Sequence, residues 1–310
     1  MAIMKILITG ASGFIGSRLV PMLEAEGHEL TRLVRRITSG PAGEILWDPE
    51  STSGSIQELE GFDAAIHLAG ENIGNSRWTP EKKRRILESR KSGTGLLARS
   101  LALSKSPPKV LISASAIGYY GNRAEEILRE DSPPGTGFLA DVCRAWEEST
   151  QAASDRGIRD VRLRTGVVLN AREGALSKML LPFRLGLGGK FGSGRQYMSW
   201  ICLDDLIEII KFTLQTQLCG PVNVVTPNPV RNSEFARTLG RVLSRPALFP
   251  LPGVVLRILL GEMADALLLH SARVEPAQLA AAGYQFKYPD LVRALQHVIR
   301  EDRIRRQTQA

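Results

Sequence analysis

Three glycines at spacing three, Gly10, Gly13 and Gly16, follow the apolar run Lys5-Ile-Leu-Ile-Thr9 and lead into a helical pattern that begins near Phe14. A buried strand, a tight turn and a helix N-terminus in that order make an anion site, because free N–H groups and the helix dipole both favour negative charge. Glycine is needed where the backbone turns sharply, approaches a pyrophosphate or packs helix on strand. The spacing departs from G-x-G-x-x-G, since Ser12 stands where the second glycine would be. About 20 residues beyond such a turn, an acid would bind the ribose 2′-hydroxyl of NAD and an arginine the 2′-phosphate of NADP. Arg35-Arg36 fill that position, and no Asp or Glu lies between Thr31 and Pro41. A guanidinium can hold a phosphate bidentately, so the pair points to NADP; the competing reading is two exposed loop arginines.

These residues need a parallel sheet to hold them. Short apolar runs alternate with longer helical patterns through the first half of the chain, which marks βαβ units. The expected strands are the opening run, Glu29–Val34, Glu44–Asp48, Asp63–Gly70, Lys109–Ser115 and Val161–Leu169, with Pro49–Gly54 as a loop. Helices are expected over Phe14–Glu26, Pro80–Ser104, Leu139–Arg156 and from Asp204 to about Gln215, with a further strand at Val222–Val225. Beyond Thr226 helices dominate. The fold class is therefore α/β: a Rossmann-like, doubly wound parallel sheet with a smaller, mostly helical C-terminal lobe. Residues 1–170 form the nucleotide domain, with return segments near 200–226, and residues 171–310 form the lobe that carries substrate.

Composition narrows the function classes. Hydrophobic content of 43% and charged content of 23% describe an ordinary globular chain with apolar residues enough for a sizeable core. Cys143, Cys202 and Cys219 show no C-x-x-C or Cys/His ligand spacing, which predicts a reducing compartment, the cytoplasm, and no metal. The N-terminus runs straight into the first strand, so no signal peptide is expected. Leu251–Leu269 is interrupted by Arg257, Glu262 and Asp265, and reads as a core-facing helix rather than a membrane span. The net charge of +8 concentrates in Lys82-Lys83-Arg84-Arg85 and in the tail Arg300–Arg306. Neither run is interleaved with aromatic residues, so solvated helix faces are expected rather than a nucleic-acid surface.

Several stretches together resemble one family. Gly10–Gly16, His67-Leu-Ala-Gly70, Ser113-Ala-Ser115, Tyr120-Gly121 and Asp204-Asp205-Leu206 are similar to the extended short-chain dehydrogenase/reductases. Leu68–Ile73, Ser113–Gly121, Leu181–Gly189 and Gly283–Phe286 resemble the atypical epimerase-like branch, which includes the epimerase family protein YfcH and mammalian member 39U. The resemblance spans nearly the whole chain. It implies NADP across the carboxyl edge of the sheet and a small-molecule substrate between the lobes, and a homodimer would be in keeping with it. Carried over by position, Gly10, Gly13, Phe14, Ile15 and Gly16 would cradle the pyrophosphate. Arg35 and Arg36 would hold the adenosine phosphate, and Leu68, Ala69 and Gly70 would line the next strand end. Arg90 stands where relatives carry Asn before Gly93-Thr94; Arg90, and less directly Arg85, would reach cofactor phosphates. Thr165 and Val168 would touch the nicotinamide half.

One departure decides the chemistry. Active members carry Ser or Thr and then Tyr-x-x-x-Lys on a helix, the Tyr moving a proton and the Lys lowering its pKa. Here that helix reads Gly137-Phe-Leu-Ala-Asp-Val-Cys-Arg-Ala-Trp146, which puts the pair at Phe138/Val142 or at Leu139/Cys143. Neither register restores it. Ser115 suits the strand end, whereas counting back from Tyr120-Gly121 lands on Ala116. Tyr119, Tyr120 and Tyr197 are the phenols that could replace the missing acid/base, and Ser115 and Tyr119 are the catalytic candidates. His67 is expected to pack; His28, His270 and His297 stand alone in the sequence. Asp204 and Asp205 are expected to cap their helix, and Cys143 to be an inert buried thiol. Two functions follow. The first is an NADP-dependent oxidoreductase or epimerase acting on an unidentified small molecule. The second is a catalytically silent NADP(H)-binding sensor or scaffold, to which the cell-division-inhibitor label of some relatives would belong.

Overall fold

The computed structural model describes residues 3–37, 43–49 and 59–308. Its first half runs β1 (Lys5–Thr9), α1 (Gly16–Ala25), β2 (Glu29–Val34), β3 (Glu44–Leu46), β4 (Ala64–His67), α2 (Pro80–Leu103), β5 (Val110–Ala116), β6 (Ile127–Leu128), α3 (Phe138–Glu148), α4 (Gln151–Asp155) and β7 (Arg159–Thr165). Then follow β8 (Val167–Leu169), α5 (Gly174–Arg184), β9 (Tyr197–Met198), β10 (Trp200–Cys202), α6 (Leu203–Gln215), β11 (Gly220–Val224), β12 (Val230–Arg231) and α7 (Asn232–Leu243). The chain ends with α8 (Gly253–Leu260), α9 (Glu262–Ala264), β13 (Arg273–Val274), α10 (Ala277–Ala281) and α11 (Leu291–Thr308).

Seven strands form one sheet in the order β11-β7-β5-β4-β1-β2-β3, and every pairing in it is parallel. Such strands must be apolar on both faces, because helices cover each side. After Lys5, every residue of β1 is buried, as is every residue of β4. One face packs on α1 and α6 through Leu19, Leu23, Leu206, Ile207 and Ile210. The other packs on α2 and α4 through Leu96, Leu97, Leu101 and Ala153. The strand order reverses between β1 and β4, and it is at the carboxyl edge of such a switch point that open parallel sheets bind ligands. A second core brings together Leu176, Leu180 and Phe183 of α5, Phe235 and Leu239 of α7, and Leu295 and Ile299 of α11.

Local chemistry sets the long helix. Thr79 caps α2 by accepting the Lys82 N–H at 3.2 Å, and Pro80 occupies the first turn, where a missing N–H costs nothing.

The structure corrects four expectations. The strand expected over Val161–Leu169 breaks at Gly166, where a Cβ would sit 2.6 Å from the Ser199 carbonyl oxygen. The chain then leaves the main sheet, and β8 pairs with β10. The helix expected over Leu139–Arg156 divides at Ser149–Thr150, where the Thr150 hydroxyl lies between the Glu147 carbonyl at 2.8 Å and Asp160 at 2.7 Å. The stretch Leu251–Leu269 is not one core-facing helix: it divides into α8 and α9 at Gly261, and Leu256, Met263 and Ala264 are buried while Val254, Ile258 and Leu259 are 64%, 68% and 58% exposed. The expected capping acids do other work. Asp205 accepts the N–H groups of Lys287 and Tyr288 at 2.8 and 2.9 Å, and Asp204 turns to His297. Beyond Pro49, the loop expected to Gly54 lies outside the described residues. Among the described residues, no helix is long and apolar enough to cross a membrane.

Candidate functional site

The glycine turn closes on itself. The Gly10 carbonyl accepts the Gly13 N–H at 3.0 Å, and Gly10 adopts a left-handed φ of +70°. A Cβ at Gly10 would meet the Leu68 carbonyl carbon at 2.7 Å, and one at Gly16 would meet the Gly10 oxygen at 2.2 Å. No side chain fits at either place, so the backbone of β1, the turn and the end of β4 come together as bare peptide. Thr9 locks this junction: its Oγ1 accepts the N–H groups of Leu68 and Ala69 at 3.2 Å each. The same oxygen lies 2.7 Å from His67 Nδ1, and His67 Nε2 lies 2.9 Å from Thr94 Oγ1. His67 thus packs as expected, fully buried, and burial pulls its pKa down to about 4.

Other candidates collect on the same edge. Strand register sets Thr9 beside Leu33 and His67, His67 beside Ser113, and Ala116 beside Thr165. Arg35 and Arg36 follow β2 directly, both exposed, with no ion-pair partner among the described residues. Phe14 and Val168 meet at Gly174, whose Cβ would lie 3.3 Å from the Phe14 ring and 3.6 Å from the Val168 oxygen. A Cβ at Gly70 would lie 3.4 Å from the Arg90 guanidinium carbon. Arg90 donates through Nη1 to the carbonyls of Glu71 and Ile86, and its guanidinium lies 4.8 Å from the Trp146 ring centre. Burial lowers its pKa from the ordinary arginine value. Arg85 is exposed, and its charge reaches Glu71.

The Tyr-x-x-x-Lys positions resolve by direction. Phe138 turns outward to Trp78, ring centres 5.1 Å apart, with Lys83 Nζ 4.5 Å above its ring. Leu139 and Cys143 instead face the turn Ile117–Tyr120, their Cβ and Sγ 3.3 and 3.6 Å from where a Gly118 Cβ would be. The inward register is therefore Leu139/Cys143. Burial, with Glu147 nearby, pushes the Cys143 thiol up to about 12, so it stays protonated.

Ser115 is tied to α3. It is buried, and its hydroxyl donates to Glu147 at 2.7 Å. Glu147 also takes two hydrogen bonds from Arg164, at 2.8 and 2.9 Å. Arg164 donates in turn to the Tyr120 oxygen at 2.9 Å, and Tyr120 donates to Asn223 at 2.7 Å or to the Arg129 carbonyl at 3.0 Å. Burial opposes the Arg164 charge, but its bonds to Glu147 and Tyr120 win and hold the group above its usual range. Tyr120, buried, is pushed up to about 12. Tyr119 is half-buried, Arg164 lies 3.5 Å from its ring centre, and its hydroxyl has no hydrogen-bond partner among the described residues. Further along the chain, Arg231 and Arg273 each lie 5.2 Å from the Tyr197 ring centre, and Arg231 also pairs with Glu125 at 2.7 Å.

Two contacts had no signal in the sequence. Lys178 of α5 donates to the Gly74 carbonyl, and Lys83 of α2 pairs with Glu262 of α9 at 2.8 Å. Both tie the segment after β4 and the start of α2 to helices late in the chain, α5 and α9.

The sequence model of the NAD dependent epimerase/dehydratase family matches residues 6–224, and a domain of unknown function (DUF1731) matches residues 251–298. The chain is 42% identical over 296 residues to the epimerase family protein Mb2239 of Mycobacterium bovis, covering 95% of this chain and 97% of that one. The crystal structure of human epimerase family protein SDR39U1 (isoform 2) with NADPH superposes with a TM-score of 0.87 at 39% identity, covering 95% of this chain and 99% of that one. The nucleoside-diphosphate sugar epimerase of Corynebacterium glutamicum superposes with a TM-score of 0.78 at 36% identity, covering 96% of this chain and 58% of that one.

Proposed function

The chain belongs to the NAD dependent epimerase/dehydratase family, and from that premise we propose that it is an NADP(H)-dependent oxidoreductase or epimerase acting on a small molecule in a reducing compartment such as the cytoplasm. One observation carries the reading: a glycine turn of bare backbone at the β1/β4 crevice, flanked at the end of β2 by two arginines with no protein counter-ion among the described residues. The turn and the N-terminus of α1 suit a pyrophosphate, and Arg35 with Arg36 suits a further phosphate on the adenosine ribose. The human relative crystallised with NADPH supports this choice of cofactor. Bound there, the nicotinamide would give a hydride to a substrate carbon or take one from it.

The chain's own residues then have separable tasks. Arg90, set beside Gly70, supplies the cation that the missing lysine would have brought. Tyr119 is the proposed proton carrier, because its hydroxyl is unengaged whereas that of Tyr120 is tied to Asn223. Arg273 beside Tyr197 favours a substrate with an acidic group, whereas Arg231 on the same ring is held by Glu125 at 2.7 Å.

A second reading has its own support. Leu139 and Cys143 occupy the inward register where Tyr and Lys would act, which favours a silent NADP(H)-binding sensor or scaffold. The experiment measures NADPH and NADH binding to the purified protein, then NADPH consumption across a panel of carbonyl substrates. Tight binding with turnover is expected; tight binding with no turnover across the panel selects the sensor. Arg35→Asp with Arg36→Ala should weaken NADPH by roughly 10- to 100-fold, the value of one or two charge-assisted hydrogen bonds, and leave NADH unchanged. Unchanged NADPH affinity would refute the phosphate site.

A further inference from the structure

Cys202, Asp204 and His297 come from two distant parts of the chain: the end of β10, the first turn of α6, and α11. Their ligand atoms nevertheless all lie within 4.8 Å of one another. We propose that these three side chains form a zinc site, distinct from the nucleotide crevice. They line a cavity of about 40 Å³ that none of the residues proposed to hold the cofactor lines. That is room for an ion and a bound water, one water needing about 10–15 Å³ of such space.

The donor set selects the metal. Thiolate, imidazole and carboxylate together suit borderline Zn²⁺, whereas Mg²⁺ and Ca²⁺ take oxygen alone. Tetrahedral zinc with bonds of about 2.0–2.3 Å needs donors roughly 3.5 Å apart, which small side-chain rotations reach from the present spacing. His297 is already oriented. Its ring stacks on Tyr288 with centres 4.3 Å apart and planes 14° apart, and its Nε2 contacts Asp204 Oδ2. Glu301, one turn further along α11, lines the same cavity and can add a carboxylate to the ion's surroundings.

Two arginines also line the cavity, each beside a carboxylate. Arg18 lies 3.8 Å from Oδ1 of Asp204, the oxygen that His297 does not use. Arg172, the other cation lining the cavity, faces Asp302 at 3.4 Å, and Arg184 holds the same carboxylate at 3.2 Å. Zinc would pin α11 to the junction of β10 and α6, with water in the fourth position. Cys202 would be deprotonated by the ion itself.

The test uses the full-length chain after treatment with a chelator. Titrated with Co²⁺, the wild-type protein is expected to show a thiolate-to-cobalt charge-transfer band in the near ultraviolet and the strong visible bands of tetrahedral cobalt. One Zn²⁺ per chain should erase both. Cys202→Ser should remove the charge-transfer band, and His297→Ala should weaken zinc by roughly tenfold or more. Cys219→Ser, which changes an exposed thiol, should leave the band intact. Retained NADPH binding would report that each variant folds. Absence of the band in wild-type protein overturns the proposal without reference to any variant. Its survival in Cys202→Ser, or its loss in Cys219→Ser, also does.

Discussion

Ser115 and Glu147 share a buried hydrogen bond of 2.7 Å, and Glu147 also holds Arg164 through both carboxylate oxygens. The two residues differ in what their removal strands. Ser115→Ala takes away one neutral donor, and Glu147 keeps its two bonds from Arg164, so unfolding should become easier by about 1 kcal/mol. NADPH affinity should not change. Glu147→Gln leaves a buried guanidinium without its counter-charge, and about 3–5 kcal/mol should be lost. Urea unfolding of both variants checks this pair. Equal losses, or weakened NADPH binding in Ser115→Ala, would count against a structural role for that hydroxyl. The sequence displays a serine at a strand end. It cannot display which way that serine points, because neighbouring strand residues face opposite sides and a register count uncertain by one residue reverses the answer.

At the scale of the element, the turn between β1 and α1 depends on missing side chains. In Gly16→Ala the new Cβ would lie 2.2 Å from the Gly10 carbonyl oxygen, a backbone atom that cannot swing aside. The turn must then open, and NADPH binding should fall on the order of 100-fold, about 2.7 kcal/mol. Gly61→Ala is the control. Gly61 also has a positive φ, +74°, but no atom lies within 4 Å of its would-be Cβ, so only backbone strain of about 1 kcal/mol is expected and NADPH should bind normally. Fluorescence titration of bound NADPH separates the two outcomes; equal losses would mean that strain, not contact, governs the turn. This element was legible because its glycines have a local cause. The breaks at Gly166 and Thr150 were not, since the first is imposed by the Ser199 backbone and the second by Asp160.

Across the whole molecule, His67 couples stability to pH. Its folded-state pKa is held at about 4 by burial, against 6.5 when unfolded. Between those values the unfolded chain binds more protons, so stability is full above about pH 6.5 and falls as the solution is acidified toward pH 4. Going from pH 7 to pH 5 should cost about 2 kcal/mol from this residue alone. In His67→Gln, which keeps hydrogen-bonding capacity toward Thr9 and Thr94, that pH dependence should flatten even if absolute stability drops. Denaturant unfolding at pH 5, 6 and 7 measures it, and an undiminished slope in the variant would place the acid sensitivity elsewhere.

The sequence by itself determined the parallel sheet and the glycine turn, because each is written in neighbouring residues: two-sided apolar runs and glycines at spacing three; it also offered Arg35-Arg36, in place of an acid, as the candidate phosphate site. It also showed that Tyr-x-x-x-Lys is missing. Only the tertiary structure decided which residues stand in the missing pair's place. Leu139 and Cys143 face the turn after β5 because α3 packs on it through that side. Nor could the chain announce that Cys202 and Asp204 meet His297 more than ninety residues later. Their spacing follows no ligand pattern. They meet because α11 packs into the same core as β10, and a packed core brings together side chains whatever their distance along the chain.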